Sequence, residues 1–349
     1  MHRLSAARGP PPLMRRAPSG QDALVGIEAI RAAAKLLHGV ATRTPLVPFG
    51  RPEARQFLKA ESLQPIGAFK IRGAYVAVAS LSAEQRARGV ITYSSGNHAQ
   101  GVARAALLLG APAVVVMPRG APAIKAARVA ADGAEIVWVG PSSEERQVVA
   151  ERLAAERGLA VIPPYDDDRV IAGQGTVGLE IVEDLPDVAA VLVPIGGGGL
   201  ASGVAVAVKA LRPGARVIGV EPELAADARD SLAAGRIVAW SSDDVSRTIA
   251  DGTRTLSLGR RTFAHLHELL DAVVTVTEAE IAAGVRLAAE ESRLVAEPSG
   301  ALSVAAIAFR AHEAGLVGLN GPVVAVVSGG NVDAERYREY LDSAIPPRG

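Results

Sequence analysis

The 349-residue sequence contains no cysteine, and this absence excludes disulfides, thiolate metal ligands and a cysteine nucleophile. Aromatic residues make up only 3% of the chain, which argues against a surface that stacks nucleobases or sugars. Lys+Arg and Asp+Glu balance at 37 each, so no strong field attracts nucleic acid or an anionic membrane. No apolar run approaches the roughly 20 residues of a bilayer span. We therefore predict a cytoplasmic protein with a small-molecule partner, without nucleic-acid or membrane binding.

The composition indicates a globular chain behind a basic leader. Hydrophobic residues make up 49% of the sequence and charged residues 21%, which is enough apolar material for one large core or two modest ones. Residues 1–20 are basic and are interrupted by Pro10, Pro11 and Pro12, and they lack the continuous apolar segment of a signal peptide. We predict that residues 1–20 form a disordered leader.

Short β-branched runs alternate with alanine-rich helical segments from residue 89 onward. One series predicts strands at 90–93, 113–117, 134–139 and 159–162, and a second predicts strands at 188–195, 216–220, 272–276 and 323–327. Predicted helices lie between or after these strands, at 98–109, 121–131, 142–157, 176–185, 200–211, 223–234, 278–290, 301–314 and 334–341. Such alternation is typical of βαβ units and of parallel sheets.

Two series of this kind predict an α/β fold with two doubly wound, mostly parallel-sheet domains and a cleft between them that holds a cofactor. We predict a large cofactor-binding domain from residues 21–85 and 165–349, and a small domain from residues 86–164. Ligands in such folds bind at the carboxyl ends of strands, where glycine-rich loops enter helices. The loops at 94–101, 194–200 and 328–332 are therefore the candidate functional segments.

Lys70 lies in an unusual local setting. It follows the turn formed by Pro65, Ile66 and Gly67 and precedes an apolar helical run, so a helix should begin close to it. The unpaired N–H groups and the positive dipole of a first helical turn disfavour an ammonium group and favour a neutral amine. A lysine with a lowered pKa can form a Schiff base with a carbonyl compound. On this segment alone, an ordinary solvated helix lysine is the alternative interpretation.

Four consecutive glycines, Gly196 to Gly199, follow an apolar strand and open a predicted helix. Glycine lets backbone N–H groups approach an anion, and a helix N-terminus favours negative charge, so this loop predicts a phosphate site. The loop also matches a dinucleotide fingerprint, with Gly196, Gly198 and Ala201 in register and Glu221 about 20 residues further on. An NAD-dependent oxidoreductase is therefore the alternative function for this loop.

Two other loops carry hydrogen-bonding side chains. Residues 94–101, SSGNHAQG, place hydroxyls and an amide where a strand enters a helix, so they can bind a carboxylate or phenolate oxygen or simply cap the helix. His98 alone is more often packed than catalytic. Ser328, after the strand at 323–327, can present a neutral hydroxyl to a ligand. A lysine, a phosphate loop, an oxygen-binding loop and a neutral serine together correspond to the groups that hold pyridoxal phosphate.

The sequence resembles the fold-type II pyridoxal-phosphate enzymes, in the branch of serine/threonine dehydratases and serine racemases, whose fold is like that of tryptophan synthase β. The matching motifs are QPIGAFKIRGA, SSGNHAQG, AGQGT, PIGGGGL, TIADG, EPSGA and SGGNVD, and they occur in the family's order between Thr44 and Asp333. The resemblance implies that Lys70 forms a Schiff base with the cofactor. It also implies cofactor contacts by Phe69 beside the ring, Asn97 at the phenolate oxygen, Gly196, Gly197, Gly198 and Gly199 at the phosphate, and Ser328 at the pyridine nitrogen.

The activity that the resemblance implies is that of an ammonia-lyase, or dehydratase, which converts L-serine or L-threonine to a 2-oxo acid and ammonia. Serine racemase and 3-hydroxyaspartate dehydratase are the near alternatives; an NAD-dependent oxidoreductase and a non-catalytic amino-acid-binding protein are the far ones. In this interpretation Lys70 and Ser95 are catalytic, on opposite sides of the substrate, and the protein is a homodimer. The implied substrate-binding residues are Ser95, Asn97, His98, Arg146, which could accept a β-carboxylate, and Thr255.

The resemblance further implies a divalent cation, Mg²⁺ or Ca²⁺, held by the Glu221 carboxylate, the Ala225 carbonyl and the Asp227 carboxylate. Oxygen ligands suit either ion, although two carboxylates in a loop are more often only solvated. One position departs from the family pattern, because Ala68 stands where the family has a serine before the Phe-Lys pair. We expect this change to alter details near the cofactor and to leave the Schiff base intact.

Overall fold

The computed structural model describes residues 23–94, 96–121, 123–140 and 143–348, and it confirms an α/β fold with two mostly parallel sheets. The predicted leader lies outside the described residues. The strands are β1 (Leu46–Phe49), β2 (Gln56–Ala60), β3 (Val90–Tyr93), β4 (Ala113–Pro118), β5 (Glu135–Val139), β6 (Ala160–Val161), β7 (Ala190–Pro194), β8 (Arg216–Pro222), β9 (Ala272–Val276) and β10 (Val323–Val327).

One sheet has the strand order β1-β2-β10-β7-β8-β9, and the other has the order β5-β4-β3-β6. Among the described strands, the pairing of β1 with β2 is antiparallel and the others are parallel. Strands β7 and β10 are buried along their whole length, as expected for parallel strands that are covered on both faces. The predicted domain boundaries, residues 21–85 with 165–349 and residues 86–164, stay a prediction.

The helices are α1 (Ile27–Leu36), α2 (Lys70–Ala79), α3 (Ala83–Arg88), α4 (Asn97–Leu109), α5 (Ala123–Ala131), α6 (Ser143–Arg157), α7 (Asp168–Asp184), α8 (Gly199–Leu211), α9 (Asp227–Ala234), α10 (Ser242–Val245), α11 (Arg260–Leu269), α12 (Glu278–Ser292), α13 (Pro298–Phe309) and α14 (Ala334–Leu341). Apolar side chains of α12 and α13 pack on one face of the six-stranded sheet, and those of α8 and α11 pack on the other. Helices α2, α4 and α5 form a core with one face of the four-stranded sheet, and α6 covers its other face. Each sheet is thus enclosed between helical layers.

Helix α7 begins at Asp168, whereas the sequence pattern predicts a helix at 176–185. The Asp167 side chain accepts hydrogen bonds from the first-turn N–H groups of Arg169 and Val170 and so caps the helix. The glycines of the AGQG segment disfavour a helix by propensity, but here they allow close packing. A Cβ atom on Gly173 would lie only 2.6 Å from the Cα atom of a glycine in α2. The segment is therefore helical because its packing outweighs its propensity.

Two other helices also differ from their predicted bounds. Helix α13 begins at Pro298 and not at residue 301, because proline is tolerated at the first helical position, where its missing N–H costs nothing. It ends at Phe309 and not at residue 314, because residues 311–315 form turns, in which Ala314 N donates to Arg310 O at 2.8 Å. Helix α9 begins at Asp227 and not at residue 223, because the preceding residues form a turn in which Ala225 N donates to Pro222 O at 3.1 Å. No helix of the described residues is both long and apolar enough to cross a membrane.

The carboxyl ends of strands from both sheets meet at one cavity of about 420 Å³. The loop after β3, the loop after β7 and the residue after β10 line it, together with the first residue of α2. This is where a doubly wound fold binds its ligands, since the strand ends leave a crevice between diverging loops.

Candidate active site

The cavity brings together most of the residues that the sequence analysis selected. Its lining includes Phe69, Lys70, Asn97, His98, Arg146, Gly196, Gly197, Gly198, Gly199, Thr255 and Ser328. The predicted metal ligands are not part of this lining, and Ser95 lies outside the described residues. The side chains that the sequence scatters over 260 positions thus converge in one place because three strand ends converge there.

Lys70 is the first residue of α2, and its partly buried side chain lies in the cavity wall. Its Nζ atom donates a hydrogen bond to Pro164 O at 2.7 Å and lies 5.1 Å from the centroid of the Phe69 ring. Burial lowers the pKa of Lys70 to about 8, because an ammonium group loses its hydration there. This setting argues against an ordinary solvated lysine, and at a pKa of about 8 roughly a tenth of the amine is unprotonated and nucleophilic at pH 7.

Backbone hydrogen bonds join the lysine loop to the loop after β10. Phe69 N donates to Ser328 O at 3.1 Å, and Gly330 N donates to Gly67 O at 2.9 Å. Gly67 has φ +75°, a left-handed conformation that residues with a side chain rarely adopt. The two loops hold the lysine and the serine in a fixed relation. The Ser328 hydroxyl is buried, and its hydrogen bond to Ser299 O is long at 3.5 Å, so it can serve a ligand.

The glycine loop after β7 is shaped as an anion site. Gly198 has φ +91° and caps α8, which begins at Gly199 and directs its first N–H groups out of the helix end. Thr262 Oγ1 donates a hydrogen bond to Gly197 O at 2.7 Å, which fixes the loop. A Cβ atom on Gly197 would lie 2.2 Å from the Tyr165 ring, so only glycine fits this position. The loop fits a phosphate group.

The Asn97 side chain does not cap α4, so the capping alternative is wrong for this residue. Its Nδ2 atom donates to Glu297 Oε1 at 2.6 Å, and its Oδ1 atom accepts from Asn331 Nδ2 at 2.8 Å. An asparagine amide has one further N–H, which is available to an acceptor in the cavity.

His98 is held as a neutral ring. It is 2% exposed, its Nε2 atom lies 3.0 Å from Ile162 O, and burial, assisted by the nearby Lys70, lowers its pKa to about 3. A neutral imidazole that donates through Nε2 has only an acceptor at Nδ1. A substrate carboxylate at this loop would therefore be bound by the N–H groups at the start of α4 and not by the imidazole.

Arg146 and Thr255 also line the cavity. Arg146 belongs to α6 and is partly buried, and burial lowers the pKa of its guanidinium. The Thr255 hydroxyl is buried and has no hydrogen-bond partner within the described part of the chain. Arg254 also lines the cavity and donates through Nε to Thr248 O at 2.9 Å. The two arginine side chains and the Thr255 hydroxyl are donors, so the cavity wall can bind an acceptor such as a carboxylate.

The sequence patterns did not single out several residues of the wall. Glu297 is buried beside Asn97, and burial, with a further contribution from Asp251, raises the pKa of its carboxyl to about 8. Lys125 of α5 forms an ion pair with Asp251 at 2.8 Å. Tyr165 packs against the glycine loop. The motifs EPSGA and TIADG contain two of these residues, but nothing in the motifs alone assigns the side chains a role.

The predicted metal ligands form a separate buried site. Glu221 and Asp227 are both fully buried, and Glu221 accepts hydrogen bonds from Ala228 N and Arg229 N at 2.9 and 2.8 Å. Neither oxygen of Asp227 has a well-aligned hydrogen bond among the described residues. Burial raises the pKa of both carboxyls, that of Asp227 to about 7, and Asp227 raises the pKa of Glu221 further.

Two interacting, desolvated carboxylates, of which Asp227 makes no well-aligned hydrogen bond within the described part of the chain, fit a divalent cation with oxygen ligands. Among the described residues no group of three or more histidine or acidic side chains could hold a metal, so a backbone carbonyl such as that of Ala225 would have to complete the ligand set. The buried Glu221 does not line the cavity, which argues against its role as the ribose ligand of a dinucleotide.

A partly buried lysine and an anion-binding loop that line one cavity, at the strand ends of two mostly parallel sheets, are the arrangement of an enzyme that uses pyridoxal phosphate. Residues 38–329 match the model of the family described as "Pyridoxal-phosphate dependent enzyme", and the chain belongs to that family, whose cofactor is pyridoxal phosphate.

Three relatives illustrate the activities found among similar proteins. The chain is 45% identical over 288 residues to L-threo-3-hydroxyaspartate ammonia-lyase of Saccharomyces cerevisiae, covering 82% of this chain and 86% of the yeast protein. It is 40% identical to L-threonine ammonia-lyase of Thermotoga maritima, covering 93% of this chain and 80% of that protein. The structure of maize serine racemase superposes with a TM-score of 0.85 at 38% identity, covering 91% of this chain and 97% of the maize chain.

Proposed function

We propose that this protein is a pyridoxal-phosphate-dependent ammonia-lyase that converts L-serine and L-threonine to the 2-oxo acid and ammonia. The observation that supports the proposal is that Lys70, Asn97, the glycine loop and Ser328 all line the same cavity. Relatives with ammonia-lyase activity support the reaction class.

In this proposal each group of the cavity has one task. Lys70 Nζ attaches the cofactor, the N–H groups of the glycine loop bind its phosphate, Asn97 donates to its phenolate oxygen, and Ser328 bonds its pyridine nitrogen. When bound, pyridoxal phosphate withdraws electrons from the α-carbon of the amino acid attached to it. A serine at the ring nitrogen leaves that nitrogen uncharged, which suits rapid loss of a β-substituent more than transamination.

The chain then moves the protons of the reaction. The substrate carboxylate lies against the N–H groups at the start of α4, and the freed amine of Lys70 removes the α-proton. The β-hydroxyl leaves with a proton as water. The remaining enamine is released and hydrolyses to the 2-oxo acid and ammonia, so one water is lost and one is taken up. The lowered pKa of Lys70 keeps its amine able to accept a proton near neutral pH.

A second candidate substrate is 3-hydroxyaspartate. Arg146 and Arg254 line the cavity, and an arginine can bind a second carboxylate in a bidentate manner. Serine racemisation is the third candidate, and it depends on Ser95 returning a proton from the side opposite Lys70. The predicted homodimer stays a prediction.

A substrate panel tests the proposal. We expect purified holoenzyme to release 2-oxo acid from L-serine and L-threonine, measured by coupled reduction of the product with NADH. Parallel reactions with the 3-hydroxyaspartates, and chiral analysis of the remaining serine, score the two other candidates. An Arg146→Ala variant should lose activity toward 3-hydroxyaspartate selectively if its β-carboxylate binds there. Absence of 2-oxo acid from every β-hydroxy amino acid would reject the lyase.

Chelation tests the metal site. We expect EDTA to lower the midpoint of thermal unfolding and excess Mg²⁺ or Ca²⁺ to restore it, because a cation neutralises the buried Glu221 and Asp227 carboxylates. A cation at a hundredfold excess over its Kd stabilises the folded state by about 2.7 kcal/mol. The matched control is Asp227→Asn, whose midpoint should no longer respond to the ion. An unchanged wild-type midpoint in EDTA contradicts the site.

A further inference from the structure

A chain of hydrogen bonds runs from the protein surface to the cofactor cavity. Arg128, on the exposed face of α5, donates to Asn331 Oδ1. Asn331 Nδ2 donates to Asn97 Oδ1 at 2.8 Å, and Asn97 Nδ2 donates to Glu297 Oε1 at 2.6 Å. The members come from α5, the loop after β10, the first turn of α4 and the residue before α13. The chain therefore ends at the side chain that the proposed function assigns to the phenolate oxygen.

The orientation of the Asn331 amide is determined at both of its ends. Its Nδ2 atom also donates to Ile66 O at 2.8 Å, and a backbone carbonyl can only accept. Its Oδ1 atom faces the Arg128 guanidinium, which can only donate. Exchanging the oxygen and nitrogen atoms of Asn331 would oppose donor to donor at Arg128 and acceptor to acceptor at Ile66. Neither contact could then form.

The orientation of the Asn97 amide follows from that of Asn331. Since Asn331 presents an N–H, Asn97 must present Oδ1 to it, and its Nδ2 atom must face Glu297. Glu297 offers an acceptor oxygen in either protonation state, so this order does not depend on its titration. One N–H of Asn97 remains. A flipped Asn97 would present a lone pair at that position and could not donate to a phenolate oxygen.

The backbone around Asn331 is shaped to admit its side chain. A Cβ atom on Gly67 would lie 2.4 Å from Asn331 Oδ1, so a larger residue there would displace the amide. The same glycine accepts a hydrogen bond from Gly330 N at 2.9 Å, which brings the two loops together beside Asn97. The contact is thus part of the packing of these loops and not a chance approach of two surface side chains.

We propose that Asn331 is a positioning residue that, held by Arg128 and the Ile66 carbonyl, orients the Asn97 amide so that its free N–H points to the cofactor. The inference rests on the proposed function, in which Asn97 binds the phenolate oxygen of pyridoxal phosphate. It also makes cofactor binding depend on a contact between α5, which packs with the four-stranded sheet, and the loop after β10 of the six-stranded sheet.

The test compares wild type with Asn331→Asp. Aspartate has nearly the same shape as asparagine but no side-chain N–H. In this variant the Asn97 side-chain amide must flip so that its Nδ2 atom faces the new carboxylate, and the N–H that would donate to the cofactor is lost. We expect the Kd for pyridoxal phosphate, measured by titrating the apoprotein, to rise about tenfold or more, as for loss of a hydrogen bond to a charged group. The absorption of the bound cofactor should shift from the longer-wavelength band of the phenolate form to the shorter-wavelength band of its neutral form.

Two variants of Arg128 keep the test decisive if Asn331→Asp does not fold. Arg128→Glu, on the exposed surface, places a carboxylate acceptor where Asn331 Oδ1 needs a donor. It should shift the absorption bands in the same direction as Asn331→Asp, but to a smaller extent. Arg128→Lys retains a donor and should behave as wild type. Arg152→Ala is the matched surface control, because Arg152 is exposed and pairs only with Glu156 among the described residues.

The outcomes separate the inference from the proposed function. Wild-type protein that binds no pyridoxal phosphate rejects both. Wild type that binds it, while folded Asn331→Asp or Arg128→Glu binds it with the same Kd and spectrum, rejects the positioning role alone. A higher Kd with an unchanged band ratio also rejects it, because general loosening of the loops would weaken binding without selecting the neutral form.

Discussion

Replacing Lys70 by alanine is expected to abolish turnover while the protein remains folded. The residue supplies the amine that attaches the cofactor and the base that removes the α-proton, so its loss removes two functions at once. We expect kcat to fall by about 10³-fold or more, since a positioned acid or base alone contributes about 10² to 10⁴. The methyl group of alanine fits a helical first turn, so the fold should survive. Product release from L-threonine measures the loss.

The absorption spectrum gives a second measure of the same variant. Wild type should show a visible band that borohydride removes, whereas Lys70→Ala should bind pyridoxal phosphate without such a band. Lys125→Ala is the matched control, because Lys125 lines the same cavity but is paired with Asp251, and its band should persist. Full activity, or a borohydride-sensitive band, in Lys70→Ala refutes the mechanism. A wild type that lacks the band and binds NAD instead would support the oxidoreductase alternative.

Glu61→Gln is expected to destabilise the protein by about 3 to 5 kcal/mol. Glu61 accepts two hydrogen bonds from the Arg72 guanidinium, at 2.8 Å each, and both side chains are almost completely buried. Glu180 pairs with Arg72 at 2.7 Å and with Lys59 at 2.6 Å, so two cations share two carboxylates. Removing one carboxylate leaves an uncompensated positive charge away from water. Urea unfolding of the holoenzyme and of the apoprotein measures the change.

Two further variants show whether the charge is the cause. The double variant Glu61→Gln with Arg72→Met leaves one balanced pair, and its cost should be less than the sum of the two single costs. Glu156→Gln removes a partner from the exposed pair with Arg152 and should cost at most about 1 kcal/mol. A Glu61→Gln variant as stable as Glu156→Gln would show that the cluster contributes little. Arg72 is in the first turn of α2 with Lys70, so we also expect weaker cofactor binding in this variant.

The local patterns predicted more of the site than of the helix boundaries. Lys70 after a glycine turn, four glycines after a buried strand and Ser328 after another are short-range features, and each lies where a strand end or helix start was expected. The sequence pattern does not predict the helix over the AGQG segment, residues 172–175, because the close approach of Gly173 to α2 is a contact between distant parts of the chain. Propensity alone cannot include such a contact.

The sequence by itself determined the class of fold, the family and the chemistry of the cofactor, because strand alternation and loop motifs are local and their order is specific. Only the tertiary structure decided which side chains meet. It placed Glu297 beside Asn97, paired Lys125 with Asp251, and aligned Arg128, Asn331 and Asn97 in one chain of hydrogen bonds. Burial and hydrogen-bond direction depend on neighbours that are remote in the sequence, so the lowered pKa of Lys70 and the orientation of the Asn97 amide exist only in the folded protein.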